Sequence, residues 1–362
     1  MLLQNRRYDI DWLRVIAIGM LLIYHTSIGF QNWGIMIGFI SNKKTWESLW
    51  IPMSMLNVWR IPFLFFVSGM GVYFAIQNRN WKQLLRERAA RIGLPFLFGM
   101  FFIVPISALI SQYHYHWDLN YIPNSGHLWF LGNIFVYVII LSPIFFYLKK
   151  NEYSKLVSGI RKLLSTPLGL LPVVAAFIVE VLLVNPSLYE MYAMTLHGFF
   201  LGLLAFFFGF CFVLSGDGFW NMILKWRWLF VGVAVALYVY RLLQVQMRVP
   251  NYQLVVESNF WIISVFAFGY KYLNQPSKTL TYLSQAAYPV YILHMIFLFL
   301  GSVLIFQLDI PVPLQYIMLL LFTGVGCFGS YEFIIRRANI IRPLFGLKQQ
   351  VNSLATKLED KN

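Results

Sequence analysis

Long stretches without a charged residue constrain this chain more than any other feature of its sequence. Ten mainly apolar runs of this kind cover residues 15–42, 61–78, 92–117, 119–148, 163–179, 191–216, 228–240, 258–270, 279–308 and 310–331. Only 12% of the 362 residues are charged, whereas a soluble domain carries roughly 25%. So few ionised side chains cannot cover a globule of this size. The sequence therefore predicts a membrane protein and excludes a disordered chain, a secreted disulfide scaffold and an ordinary cytosolic enzyme.

The lengths of these runs predict how many helices cross the membrane. A helix needs about 20 residues to span the hydrocarbon layer. Most runs reach that length, and three reach it once a charge is included, with Glu180 in the fifth, Arg241 in the seventh and Glu332 in the tenth. The run at 258–270 stays short. We therefore predict an all-α polytopic membrane protein of about ten transmembrane helices.

The positions of Lys and Arg agree with ten spans. If the N-terminus is cytoplasmic, the inner segments hold 22 of the 28 basic residues and the outer segments hold 3, which is the bias of the positive-inside rule. Both termini are therefore predicted to be cytoplasmic, with a single transmembrane domain over residues 1–346 and a polar tail over 347–362. The net charge of +14 then reflects topology, and no nucleic-acid partner is expected.

Charged and titratable groups at helix depth are the first candidates for function, because such groups are costly inside a bilayer. They are Arg14, His25, Arg60, Glu180, Arg241, His294 and Glu332, with His127 and His197 at helix ends. The sequence does not identify partners for the two glutamates or for Arg60 and Arg241. In a predicted outer loop, His114 and His116 are too weak a pattern for a metal site. No metal is predicted, and contact of a sugar with Trp117 is the preferred interpretation of that loop.

Arg14 and His25 form the most informative pair. They are eleven positions apart in the first predicted helix, about three turns, so they share one face with roughly 16 Å between them along the axis. This face offers a permanent cation near the cytoplasm and a titratable base deep in the membrane. The alternative is that Arg14 is a topological anchor and His25 a core histidine that bonds a neighbouring helix. No Asp or Glu lies next to His25 in the sequence to orient its ring.

A second pair of arginines enters the membrane with the third helix. Arg88 and Arg91 are three residues apart, so both guanidinium groups lie on one helix face. Guanidinium groups match the geometry of phosphate oxygens. The alternative is topological, since five cations between residues 79 and 91 would hold this loop in the cytoplasm whether or not they bind a ligand.

Five segments of the chain form a recognisable set. They are the arginine and histidine separated by ten residues in the opening helix, FLFFVSG at 63–69, RAAR at 88–91 followed by a proline, AYPVYILH at 287–294 and, more weakly, HLWFL at 127–131. Together these segments resemble the signature blocks of the integral-membrane acyltransferase family three. They occur in family order over nearly the whole chain. The chain length and the DWLR opening resemble the branch that includes the periplasmic-glucan succinyltransferases.

The resemblance implies an enzyme of the cell (inner) membrane. It would move an acetyl or succinyl group from cytoplasmic acyl-CoA to a hydroxyl of an extracytoplasmic glycan. His25 is then the catalytic base or the acyl carrier, and Arg14, Arg88 and Arg91 bind the donor. Acyl-CoA is a substrate in this scheme, and no tightly bound cofactor is expected.

Three residues of the late helix are assigned more loosely. Tyr288, Tyr291 and His294 are spaced by three and are expected to line the passage for the donor or the acceptor. The alternative is that the tyrosines are interfacial groups and the histidine a core group. Two other functions also stay open for the whole chain. One is a secondary transporter or flippase for an anionic or lipid-linked substrate, although no inverted repeat is visible. The other is a receptor or scaffold, which leaves the arrangement of Arg14 and His25 unexplained.

Overall fold

The computed structural model describes residues 6–350, which consist of helices joined by turns and loops and contain no β-strand. Apart from short 3-10 turns and a π turn at Tyr331–Ile335, this part of the chain forms α1 (Tyr8–Ile28), α2 (Trp50–Ile76), α3 (Trp81–His114), α4 (Trp129–Lys150), α5 (Lys155–Leu164), α6 (Leu170–Val184), α7 (Leu196–Leu214), α8 (Asp217–Leu242), α9 (Asn251–Tyr272), α10 (Lys278–Ile305) and α11 (Val312–Ser330). The predicted all-α class is confirmed. Most of the predicted tail, residues 351–362, lies outside the described residues.

Nine helices within residues 6–350 are long and apolar enough to cross a membrane. The predicted span that is not among these nine is the eighth run, at 258–270, which lies in α9. This helix has 22 residues but carries Glu257, Ser258 and Asn259 in its first half. All three side chains are buried, and α9 packs against α1, α2, α6 and α8. Its polar groups lower its hydropathy, so its length and its burial, not its apolar content, place it within the bundle.

Helix α3 begins before its apolar run, inside the loop predicted to be cytoplasmic. Asn80 starts it with a capping box, in which its side chain accepts from the Gln83 N–H and the Gln83 side chain accepts from the Asn80 N–H. A π turn at Ala89–Gly93 lets the helix continue into the bundle, and such turns often mark functional sites. Arg88 and Arg91 therefore lie on the first turns of a helix that is long enough to cross the membrane.

Helices α2 and α7 approach each other most closely at two glycines. A Cβ at Gly69 would lie 1.9 Å from the carbonyl oxygen of Phe206, and a Cβ at Gly209 would lie 2.1 Å from the carbonyl oxygen of Phe66. Small residues allow membrane helices to pack backbone against backbone in this way. The glycine that ends the FLFFVSG segment thus has a packing role.

Replacing Gly69 with alanine is expected to destabilise the bundle by about 1–3 kcal/mol or more, the usual cost of overpacking, because the obstructing atom is backbone and cannot turn away. The measurement is the thermal unfolding midpoint of the detergent-solubilised protein. Gly19→Ala is the matched control, since nothing lies within 4 Å of a Cβ at Gly19, and its midpoint is expected to stay at the wild-type value or above it. Equal midpoints for the two variants would contradict the close contact.

The segment between α1 and α2, residues 29–49, folds back over one end of the bundle, and we call it the outer cap. The Asn42 side chain donates to Gln315 Oε1 at 2.5 Å. Lys44 Nζ donates to Asp309 Oδ1 at 2.7 Å, and this bond lowers the pKa of the Asp309 carboxyl. The outer cap is therefore tied to α11 and to the loop before it. It covers the end of α1 that carries the predicted catalytic histidine.

Candidate active site

Two histidines from α1 and α10 meet inside the bundle. His25 Nδ1 lies 2.8 Å from His294 Nε2, although the residues are 269 positions apart. The two rings stack with centroids 5.1 Å apart and planes 18° from parallel. His294 is fully buried, whereas His25 is partly exposed. The structure thus places His294 directly against the residue that the sequence predicts to be catalytic.

Hydrogen bonding decides which nitrogen of each neutral imidazole carries the proton. His294 Nδ1 lies 2.6 Å from the Tyr291 carbonyl oxygen, and since a carbonyl can only accept, this nitrogen is the N–H. His294 Nε2 therefore accepts, and His25 Nδ1 donates to it. The lone pair of His25 is then on Nε2, for which residues 6–350 supply no hydrogen-bond partner. An imidazole oriented by one nitrogen and free at the other is suited to take a proton.

His127 fixes the other side of this pair. Its ring centroid is 4.9 Å from that of His294, with the planes almost perpendicular at 82°. His127 Nε2 donates to the Ile292 carbonyl at 3.1 Å, and the Tyr291 hydroxyl donates to the His127 carbonyl at 2.5 Å. These bonds hold the start of α4 against α10. Within the described residues, no group of three or more His, Cys, Asp and Glu side chains is placed to hold a metal ion.

A cluster of arginines lies at the predicted cytoplasmic end, and we call Arg14, Arg79, Arg88 and Arg91 the arginine cluster. The Arg88 guanidinium is repelled electrostatically by the other three. Glu87 bonds Arg79 at 3.0 Å and Arg91 at 3.3 Å, which offsets part of this charge. The Nε atoms of Arg88 and Arg91 are buried without a partner in residues 6–350. Guanidinium groups with unused donors are suited to phosphate oxygens.

Helix α10 connects the arginine cluster with the histidine pair. Tyr288, Tyr291 and His294 follow one another at intervals of three and so lie near one face of α10 over about 9 Å. The Tyr288 hydroxyl is buried, has no partner in the described part of the chain and interacts electrostatically with Arg88. This face therefore leads from the arginines to His25.

A comparison with protein families identifies the family of this chain. A family model described as an acyltransferase domain, that of acyltransferase family three, matches residues 7–332. The chain belongs to acyltransferase family three. No curated protein and no solved structure matches it. Membership of the family and acyltransferase activity are thus confirmed, while the resemblance to the succinyltransferase branch stays a prediction.

The acyltransferase brings its predicted site residues together in two groups. His25, Tyr291 and His294 form one group, and Arg14, Arg88, Arg91 and Tyr288 form the other. Their roles in catalysis and in substrate binding stay predictions. The outer loop is also ordered, because Trp117, 52% exposed, stacks on Tyr115 with centroids 5.0 Å apart. The Tyr115 hydroxyl donates to the Phe39 carbonyl of the outer cap at 3.2 Å. Sugar contact at Trp117 stays a prediction.

The partner of His25 is the feature that sequence reasoning missed. The intramembrane glutamates without assigned partners bond elsewhere in the acyltransferase. Glu180 Oε1 lies 2.9 Å from His197 Nδ1, and Glu332 accepts from Arg336 at 2.8 Å. A histidine and not a carboxylate therefore orients the candidate base. The AYPVYILH block contains that histidine, but its spacing alone does not show which helix it faces.

Arg60 and Arg241 look alike in the sequence and differ in the structure. Arg241 Nε and Nη2 donate to the two carboxylate oxygens of Glu257 at 2.9 and 2.8 Å, and both side chains are buried. Arg60 is equally buried, but its Nε and Nη1 have no hydrogen-bond partner in residues 6–350. Its guanidinium carbon lies 3.8 Å from the centroid of the Tyr24 ring. Nothing in the sequence pattern distinguishes Tyr24, and Glu257 is visible there only as the charge that precedes the eighth apolar run.

Proposed function

We propose that this acyltransferase moves an acetyl or succinyl group from cytoplasmic acyl-CoA to a hydroxyl of an extracytoplasmic carbohydrate in the inner membrane, with His25 as the base. The proposal depends on how the histidine pair is placed relative to the arginine cluster. The imidazole of His25 is oriented by His294, its Nε2 is left available, and α1 and α10 both lead from it to the arginine cluster. This arrangement supports a donor that is held by its phosphates at one end and reacts at the other.

The size and charge of acyl-CoA match the spacing and charge of the arginine cluster and the histidine pair. Acyl-CoA is a polyanion with its thioester on a long flexible arm. The arginine cluster would bind the phosphates through unused guanidinium donors. Arg14 and His25 are roughly 16 Å apart along α1, and the arm would cover this distance beside the face of α10 that carries Tyr288 and Tyr291. The carbohydrate would reach His25 from the side of the outer cap.

The chemical step follows from the free nitrogen of His25. Nε2 takes the proton of the acceptor hydroxyl while its oxygen attacks the thioester carbonyl carbon. The tetrahedral intermediate collapses, the carbon–sulfur bond breaks, and the CoA thiolate leaves with the proton that the imidazolium returns. His294 Nε2 accepts the hydrogen bond from His25 Nδ1 throughout, and this bond keeps the His25 ring in place. General base catalysis of this kind contributes about 10²- to 10⁴-fold in rate.

The purified protein in detergent, supplied with acyl-CoA labelled in the acyl group, tests the reaction class. We expect free CoA thiol to appear and the label to move to an added glycan or to water. The competing function, a transporter or flippase, predicts that proteoliposomes carry their substrate across the bilayer chemically unchanged. Label that stays on intact acyl-CoA over long incubation, with a folded protein and a range of glycans, would contradict the proposal.

Removing two arginines from the cluster is expected to weaken donor use. In Arg88→Gln/Arg91→Gln, the concentration of acyl-CoA that half-saturates CoA release should rise about 10- to 100-fold, because charge-assisted hydrogen bonds are lost. Lys82→Gln/Arg86→Gln is the matched control, since it removes the same charge from exposed positions of the same helix. The control should keep the wild-type value. Equal shifts in both variants would mean that the loop acts only through its total charge.

A further inference from the structure

Arg60 is a buried cation in the interior of α2 that lacks an anion. Its exposure is 3%, and its Nε and Nη1 are buried without a hydrogen-bond acceptor from residues 6–350. No carboxylate of the described residues lies within salt-bridge distance of it. The contact that it does make is with the face of the Tyr24 ring, 3.8 Å from the guanidinium carbon.

The contact with Tyr24 does not satisfy the guanidinium. A cation on an aromatic face gains some electrostatic stabilisation, and the Tyr24 hydroxyl also interacts with the Arg60 side chain, but Nε and Nη1 still lack an acceptor from residues 6–350. Arg241, at 2% exposure, shows what full satisfaction looks like in this bundle: two bonds to Glu257 and a third to the Ser54 carbonyl. An unpaired charge at this depth is costly. Arg60 therefore has the properties of an anion-binding group whose ligand comes from outside the chain.

Position limits what that ligand can be. The Tyr24 ring neighbours both Arg60 and His25, with 3.8 Å from the guanidinium carbon to the tyrosine centroid and 5.8 Å from that centroid to the imidazole centroid. An anion bound by Arg60 would therefore lie beside the reacting group. A small carboxylate carried by the acyl group itself fits this place. An extended four-carbon dicarboxylic acyl chain is about 5 Å from its reacting carbonyl carbon to its far carboxylate.

We propose that Arg60 binds the terminal carboxylate of a dicarboxylic acyl group, so that the acyltransferase selects succinyl-CoA over acyl donors that end in a methyl group. This inference rests on the proposed function, because it assumes that the thioester is presented at His25. The guanidinium fork donates two parallel bonds to the carboxylate. The bond that forms and the bond that breaks are those of the acyl transfer described above, and the second carboxylate takes no part in them.

A competition experiment tests this selectivity. Labelled acetyl-CoA is bound to the purified wild-type protein and displaced with unlabelled succinyl-CoA or butyryl-CoA, which differ by a carboxylate in place of a methyl group. We expect succinyl-CoA to displace the label at a concentration about 10- to 100-fold lower, the value of a charge-assisted bond. In Arg60→Gln the ratio should fall close to one, and Arg60→Lys should retain part of it. Malonyl-CoA and glutaryl-CoA should be weaker than succinyl-CoA.

The outcomes separate this inference from the proposed function. If acetyl-CoA binds and the two competitors are equally effective on the wild type, the inference is wrong and the donor site stands. If Arg60→Gln weakens both competitors equally and keeps their ratio, Arg60 acts on the thioester carbonyl or on the fold, and the inference is again wrong. If no displaceable acetyl-CoA binding occurs in the wild type, the proposed function fails first. A thermal unfolding midpoint for each variant shows that the ratios come from folded protein.

Discussion

Replacing His25 with alanine is expected to lower acyl transfer by about 10²- to 10⁴-fold, the usual contribution of a positioned general base. Alanine removes the Nε2 lone pair, while the arginine cluster, roughly 16 Å away along α1, still binds the donor. The measurements are the release of free CoA thiol at saturating acyl-CoA and, in parallel, the binding of labelled donor. Wild-type turnover in His25→Ala with normal donor binding would mean that another group is the base.

His294 provides the comparison that separates orientation from chemistry. A glutamine at this position still offers an oxygen to His25 Nδ1, whereas leucine offers none, so His294→Leu should lose more activity than His294→Gln. The loss for leucine should be about 10- to 100-fold, the effect of an unsatisfied buried hydrogen bond. Because residues that act as one unit are not additive, His25→Ala/His294→Leu should be no slower than His25→Ala alone. Losses that multiply would show that the two histidines act independently.

The sequence predicts the helices of this protein well because the bilayer simplifies the problem. A charge-free run of the right length has few alternatives to a spanning helix, and nine of the ten predicted runs correspond to helices of residues 6–350 that are long and apolar enough to cross a membrane. The exception is instructive. Helix α9 includes Glu257, the charge that bounds the eighth apolar run in the sequence. The structure places that charge inside the bundle, where Arg241 compensates it. The sequence shows that a charge is present but not which residue neutralises it.

The same limit applies to the candidate site. The spacing of Arg14 and His25, and that of Arg88 and Arg91, follow from helix geometry alone. His25 and His294 are 269 positions apart in the sequence, and only the packing of the bundle determines that their two helices meet. The difference between Arg60 and Arg241 arises in the same way, because it depends on which neighbour each guanidinium meets.

Removing the charge of Glu257 is expected to cause a large loss of stability. In Glu257→Gln the Arg241 guanidinium stays buried without its counter-charge, and breaking a buried pair in this way costs about 3–5 kcal/mol. The pair joins α8 to α9, and Arg241 Nη2 also donates to the Ser54 carbonyl of α2 at 3.3 Å. The measurement is the free energy of unfolding of the detergent-solubilised protein, and Glu332→Gln is the control.

The control is informative because Glu332 pairs with Arg336 by similar geometry, 2.8 Å, at the surface. An exposed pair contributes about 0–1 kcal/mol, so burial alone separates the two variants. The double variant Arg241→Met/Glu257→Met should recover most of the stability, because a buried pair barely exceeds its own desolvation cost. If Glu257→Gln lowers the free energy of unfolding by no more than Glu332→Gln does, then water reaches Arg241. The same would then apply to Arg60, which lies about one and two-thirds helix turns beyond Ser54 on α2. Its need for an anion from outside the chain would disappear.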